Sequence, residues 1–332
     1  MEASFILLGI GLAIIALRMY MRITIFGWRG LMVDDYLMLL VVAPYSAVTV
    51  LVYLSIVECN GLANDRMTPE ERGSLIPGSE EWLSRTLGAK LVVWSRLSYL
   101  LTLWLTKAAM LAFYQRLTDR FGAYRWRIRV GFLLLGTTWL VNFLFVMLDC
   151  RPFSSNWQIQ PDPGPHCYRS SESYKLFVLL SFNVATSLYV LAVPLPILWW
   201  ADTKFWKKLG LVLLISGNGF VITIACLRAF FLTTTQRSGP AQADKWALNV
   251  CFVAVATTNL PLFFPIISRW IIALTAHSTN RQLRTISIRN CSLTITTRNG
   301  PGRRRTDSGV GLENELKLEV ERVPQTEKPE IC

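Results

Sequence analysis

Histidine is almost absent from this chain: His166 and His277 are the only two among 332 residues. No Cys/His cluster has the spacing of metal ligands, so no zinc site is expected. Seven cysteines are too few and too scattered for a disulfide-rich scaffold. Charge is scarce as well, at 17% of residues, against about 25% in soluble domains. A soluble protein of this length needs more polar surface than that. Acids are missing altogether from Arg269 to Arg305, where eight arginines accumulate. That basic stretch adjoins an apolar segment and carries no DNA-reading motif, so nucleic acid is not expected as a partner.

What the chain does have is apolar sequence, 52% of its residues, arranged in runs close to the roughly 20 residues that cross a hydrocarbon core. Seven such runs fall at about 3–19, 34–57, 92–113, 129–149, 174–200, 208–232 and 246–271. None shows the two-residue alternation of a barrel strand, so all seven are expected to be helices. The first run begins almost at Met1 without a basic leader or a small-residue cleavage site, and is read as a span and not as a signal peptide. The short odd-numbered loops with their flanking run ends hold eleven basic residues, including Arg116, Arg120, Arg125 and Lys204, whereas the longer even-numbered loops hold eight. The positive-inside rule then places the N-terminus outside and the C-terminus in the cytoplasm. The expected fold is an all-α, seven-transmembrane helix bundle over 1–272, with a disordered cytoplasmic tail over 273–332 that is first basic and then acidic.

The loop after the fourth run contains Cys150 and Cys167 on the side expected to be oxidising. A disulfide between them would close a loop of about 16 residues and contribute about 3 kcal/mol. Cys59, at the outer end of the second run, is a competing partner.

Charged groups within or beside the spans fall at two levels. Near the cytoplasmic face lie Arg18, Arg22, Asp34, Asp35 and Lys107; near the outer face lie Glu58, Arg96 and Arg228. The adjacent acids Asp34 and Asp35 do not suit a magnesium site of the DDxxD kind, which sets carboxylates one helical turn apart. Neighbouring helical residues point about 100° apart, and no span contains a second acidic motif. Acid–base catalysis would also need acids deep in the helices. The pair suits a helix start, with Asp34 as N-cap and Asp35 in the first turn. Arg18, Arg22 and Lys107 would complete an ionic cluster, either static or working as a switchable lock. In the outer set, Glu58, Arg96, Trp157 and Arg228 are candidates to line a ligand pocket; the alternatives are that the arginines snorkel to the interface or pair with Glu58. No catalytic, cofactor or metal residue is assigned. The last run has no lysine beyond Lys245 at its edge, which leaves no Schiff-base site for retinal. Pro194, Pro196, Pro261 and Pro265 interrupt the fifth and seventh runs.

Seven spaced segments carry a resemblance: RMYMR (18–22), DDY (34–36), LTKAAMLAFYQRL (105–117), CRPFSSNW with the later cysteine (150–167), VPLPILW (193–199), LISGNGFVITIACLR (214–228) and LPLFFPIISR (260–269). Together they resemble the fungal rhodopsin-domain integral membrane proteins, which include receptor-like proteins of appressorium formation and a membrane protein of the satratoxin gene cluster. The resemblance implies seven helices, a fungal source and a multi-pass membrane location, with the plasma membrane expected. The chain departs from the family pattern at GLAND (61–65), at Ser187 and near Val250, where the resemblance implies polar or acidic residues.

Beside the blander option of a non-catalytic scaffold whose Arg-rich tail recruits partners or lipid, two functions remain open. One is a receptor-like protein that senses a small molecule and relays the signal to a cytoplasmic signalling protein. The other is an accessory membrane protein, an intramembrane enzyme or carrier, of a secondary-metabolite gene cluster. The expected partners are the lipid bilayer, a small-molecule ligand and a cytoplasmic signalling protein; no cofactor is expected.

Overall fold

The computed structural model describes residues 2–64, 67, 69–118, 122–164, 167, 172–195, 216–217, 219–227 and 246–260. Arg228, the histidines, the prolines from Pro196 onward and the 273–332 tail lie outside them. The helices are α1 (Glu2–Phe26), α2 (Val33–Val57), α3 (Pro69–Ser74), α4 (Glu80–Thr118), α5 (Gly122–Leu148) and α6 (Glu172–Ala192), followed by helical residues 219–227 (α7) and Trp246–Leu260 (α8). No strand occurs among the described residues.

Each of the seven apolar runs holds helix. Among the described residues α1, α2, α4 and α5 are long and apolar enough to cross a bilayer, while Phe177–Ala192 and Trp246–Leu260 are shorter apolar helices. The protein is an integral membrane protein built from helices.

The helix ends differ from the expected ones in a consistent direction. α1 continues to Phe26, so Arg18 and Arg22 stand on the helix and not in a loop. α4 starts at Glu80, well before the apolar run at 92. Its first turn is acidic, with Glu80 and Glu81, and Ser79 accepts the Trp82 N–H at 3.2 Å. Those are helix-start features that a hydropathy profile does not register.

The bundle holds two side-chain cores with α4 between them. On one side Ile15, Met38, Val41, Tyr45 and Val48 of α1 and α2 pack with Ala109, Leu248, Cys251 and Val255. On the other, Leu103, Trp104, Leu111 and Tyr114 of α4 pack with Ile128, Leu135, Val190 and Val250. α8 contributes to both. Leu40, Leu133, Leu140 and Leu144 face outward, as lipid-facing side chains do in a bundle where acyl chains replace water.

Close helix approach depends on glycine at two places. Gly11 of α1 lies against the Tyr45 ring, whose hydroxyl donates to the Leu7 carbonyl at 3.0 Å. Gly88 of α4 lies against the turn after α2, where a Cβ would collide with the Leu62 carbonyl oxygen. Backbone cannot move aside as a side-chain tip can. Gly88→Ala is therefore expected to destabilise the protein by about 1–3 kcal/mol. Gly136→Ala, which meets nothing within 4 Å, is expected to be neutral or slightly stabilising because alanine favours helix. Thermal unfolding of the two variants in detergent gives the comparison.

Candidate functional site

The side chains of RMYMR and DDY meet. Arg18 and Arg22 are four residues apart and so share one face of α1. Arg18 Nη2 donates to Asp34 Oδ2 at 2.8 Å and Nε donates to Asp35 Oδ1 at 3.0 Å. The third arm, Nη1, donates to Asn259 Oδ1 of α8 at 3.2 Å. Arg18 is 2% exposed, Asp34 1% and Asp35 0%. The planar fork of one guanidinium thus spans both carboxylates, although they diverge around the helix.

Arg22 stands farther off, 3.6 Å from Asp34 and 3.4 Å from Asp35. Arg116, in the last turn of α4, reaches Asp34 at 3.5 Å. The first-turn position of the acids follows the expectation with one correction. The residue before α2 is Met32, which holds the cap position, and Asp34 lies two residues further into the helix. Asp35 serves the helix start, accepting the Met32 N–H on Oδ2 at 3.2 Å, while Asp34 turns inward to Arg18. Arg116 and Asn259 were not picked out from sequence. The placement of Arg116 at the last polar turn of its helix was the available signal.

Lys107 does not enter this cluster. It stands roughly 13 Å along α4 from Arg116, too far for an ammonium to reach Asp34. Its Nζ donates to the Asn183 carbonyl at 2.9 Å, Asn183 Oδ1 at 2.7 Å and Thr186 Oγ1 at 2.7 Å, and lies 4.7 Å from the Trp104 ring centre. All three N–H donors are used, and none of these partners is a carboxylate. Beside it is a small cavity lined in part by Thr106, Ser187, Val221, Thr257 and Thr258, with room for about one water molecule. Ser187, where the resemblance implies an acid, donates to its own helix at the Asn183 carbonyl, 2.8 Å away.

The other end of α4 meets the loop assembly. Cys150 and Cys167 are disulfide-bonded, and Cys59 is a buried free thiol. Burial first, and then Glu58, raises the Cys59 thiol pKa above its ordinary value. Asn64 Nδ2 donates to the Asn156 and Gln158 carbonyls, each at 3.1 Å, and Arg72 donates to the Asn64 carbonyl. The segment before Cys167 is thereby tied to the segment after α2. Of the expected pocket residues, Trp157 packs edge-on to Phe153 and lies under Lys90 Nζ at 5.5 Å. Glu58 is exposed just past α2, Arg96 is half-buried on α4, and Arg228 lies outside the described residues. None of Glu58, Arg96 and Trp157 lines the cavity at Lys107. Among the described residues no group of His, Cys, Asp and Glu could hold a metal ion.

The family model described as the fungal rhodopsin domain matches residues 17–269, from Arg18's neighbour to the last apolar run. The chain belongs to the fungal rhodopsin domain family. Within this fungal rhodopsin domain both ends of the ionic cluster, Arg18 on α1 and Asn259 on α8, fall inside the matched range. The chain is also similar to the polyenoic acids biosynthesis gene cluster protein Ba17b of Metarhizium anisopliae, with 29% identity over 143 residues. That match covers 38% of this chain and 36% of the relative, so the chain aligns with well under two thirds of the relative's length. No solved structure matches this fungal rhodopsin domain protein.

Proposed function

We propose that this fungal rhodopsin domain protein is a receptor-like protein of the plasma membrane with seven spans, N-terminus outside and C-terminus in the cytoplasm. In this reading a small molecule is sensed at the face formed by the disulfide-linked loop and the segment after α2. The signal passes through the bundle to a cytoplasmic signalling protein. One observation carries it: a buried arginine, Arg18, joins α1, α2 and α8 through Asp34, Asp35 and Asn259. In this reading the node switches between a bonded and a broken state and is the bistable element that a relay between two faces needs.

The second reading is an accessory membrane protein, an enzyme or carrier, in a secondary-metabolite pathway. It is favoured by the relative from a polyenoic acids biosynthesis gene cluster. The deciding experiment is metabolite profiling by mass spectrometry of a deletion strain against its parent, under conditions of expression. A receptor predicts unchanged chemistry, or a broad shift in many metabolites with altered development. Accumulation of one discrete intermediate with loss of one product would overturn the receptor reading in favour of the pathway one.

A further inference from the structure

Among the described residues the ionic cluster is unbalanced. Three guanidinium groups, those of Arg18, Arg22 and Arg116, converge on two carboxylates, Asp34 and Asp35. The carboxylates are already well served, because Arg18 takes both at 2.8 and 3.0 Å with two arms of its fork. The two remaining arginines are held loosely, at 3.4–3.6 Å for Arg22 and 3.5 Å for Arg116. Nη2 of Arg22 is buried and makes no hydrogen bond. That nitrogen has only a long ion pair, 3.6 Å to Asp34, and one excess positive charge inside a membrane bundle is costly.

The location supplies the missing partner. Arg18 is sealed in, but Arg22 keeps 11% of its side chain exposed and Arg116 27%. Both open at the level where α1 and α4 end and α2 begins. Arg22 lies over the Phe26 ring at 5.5 Å and Arg116 over the Phe113 ring at 5.3 Å. Around them Tyr20, Phe26, Trp28, Tyr36 and Trp126 are exposed, which is the aromatic composition of a headgroup belt.

We propose that Arg22 and Arg116 form a site for the phosphate of an anionic lipid headgroup, seated on the ionic cluster between α1, α2 and α4. The phosphate oxygens accept from Arg22 and from Arg116, and the lipid's negative charge cancels the cluster's surplus. The acyl chains then lie along the outward-facing leucines and isoleucines of α1 and α2. Inorganic phosphate has the same headgroup chemistry without those chains, so it serves as the discriminating probe.

The test uses the full-length protein, purified in a mild detergent and stripped of lipid, with adducts counted by native mass spectrometry. The probes are short-chain phosphatidic acid, phosphatidylcholine and inorganic phosphate. Phosphatidic acid is expected to bind at least about fivefold more tightly than phosphatidylcholine, and Arg22→Gln and Arg116→Gln are each expected to remove about fivefold of that affinity. Arg29→Gln, at an exposed arginine of the same turn region, is expected to change it less than about twofold. Should Arg22→Gln fail to fold, Arg116→Gln suffices, since that side chain is the most exposed of the three. Equal loss in Arg29→Gln, or no loss in either test variant, overturns the site. Inorganic phosphate that competes at the same concentration as phosphatidic acid overturns the lipid as its occupant.

Discussion

Arg18→Met is expected to cost about 3–5 kcal/mol, the usual penalty for removing one partner of a buried ion pair. Both Asp34 and Asp35 would keep their burial, at 1% and 0% exposed, and would lose their closest cation. Arg22 and Arg116 stand farther off, at 3.4 Å or more, and offset only part of that loss. Asn259 would lose the same partner, and with it the tie between α1 and α8. Arg18→Lys should fall between, since an ammonium keeps the charge but has no planar fork to span two carboxylates. Thermal unfolding in detergent, read beside the amount of folded protein recovered from membranes, measures the order. Arg18→Met with unchanged midpoint would show that the cluster contributes nothing to holding the helices together.

The second large effect belongs to Lys107 and Asn183. Asn183→Leu leaves a buried ammonium short of its 2.7 Å acceptor, at a cost of about 1.5–3 kcal/mol for a hydrogen bond to a charged group. Lys107→Met leaves Asn183 Oδ1 and Thr186 Oγ1 without their donor but also removes a charge from the bundle interior, so its net cost is expected to be smaller. The double variant should be more stable than the sum of the singles predicts, by about 1–3 kcal/mol of coupling energy. Strict additivity would mean that Lys107 is held by packing against Trp104 and not by these oxygens.

The sequence carried the class of fold and the ionic pairing for different reasons. Bilayer thickness imposes a minimum length on every apolar run, so the helices of α1, α2, α4 and α5 could be read directly. Their ends could not, because Arg18, Arg22 and Glu80 are polar residues that continue a helix, and hydropathy counts them as its end. The Arg18–Asp34–Asp35 association was legible since long-range charge in an apolar chain has few places to go. The place of Arg116 and Lys107 in α4 was not. Both are cations on one helix, and only the three-dimensional register of α4 against α2 and α6 decides which meets an acid and which meets an amide. Asn259 carries no charge and sits in a run of threonines, so nothing in the sequence distinguished it from a residue that bonds its own helix. It does that as well, donating to the Val255 carbonyl at 2.7 Å. The disulfide was legible because loop position and spacing left few partners, and Cys59 is a buried free thiol packed near Gly88.

α4 has one further consequence. It is a single helix of 39 residues, roughly 58 Å long, nearly twice the thickness of a hydrocarbon core. Lys90, near one end, touches Trp157 of the disulfide-linked loop, and Arg116, near the other, touches Asp34. A tilt of α4 about its middle carries Lys90, roughly 13 Å from that point, one way and Arg116, roughly 25 Å from it, about twice as far the other way. Contact at the loop is in this way geometrically linked to the ion pair at the other end of the same helix, with the longer arm on the side of Arg116.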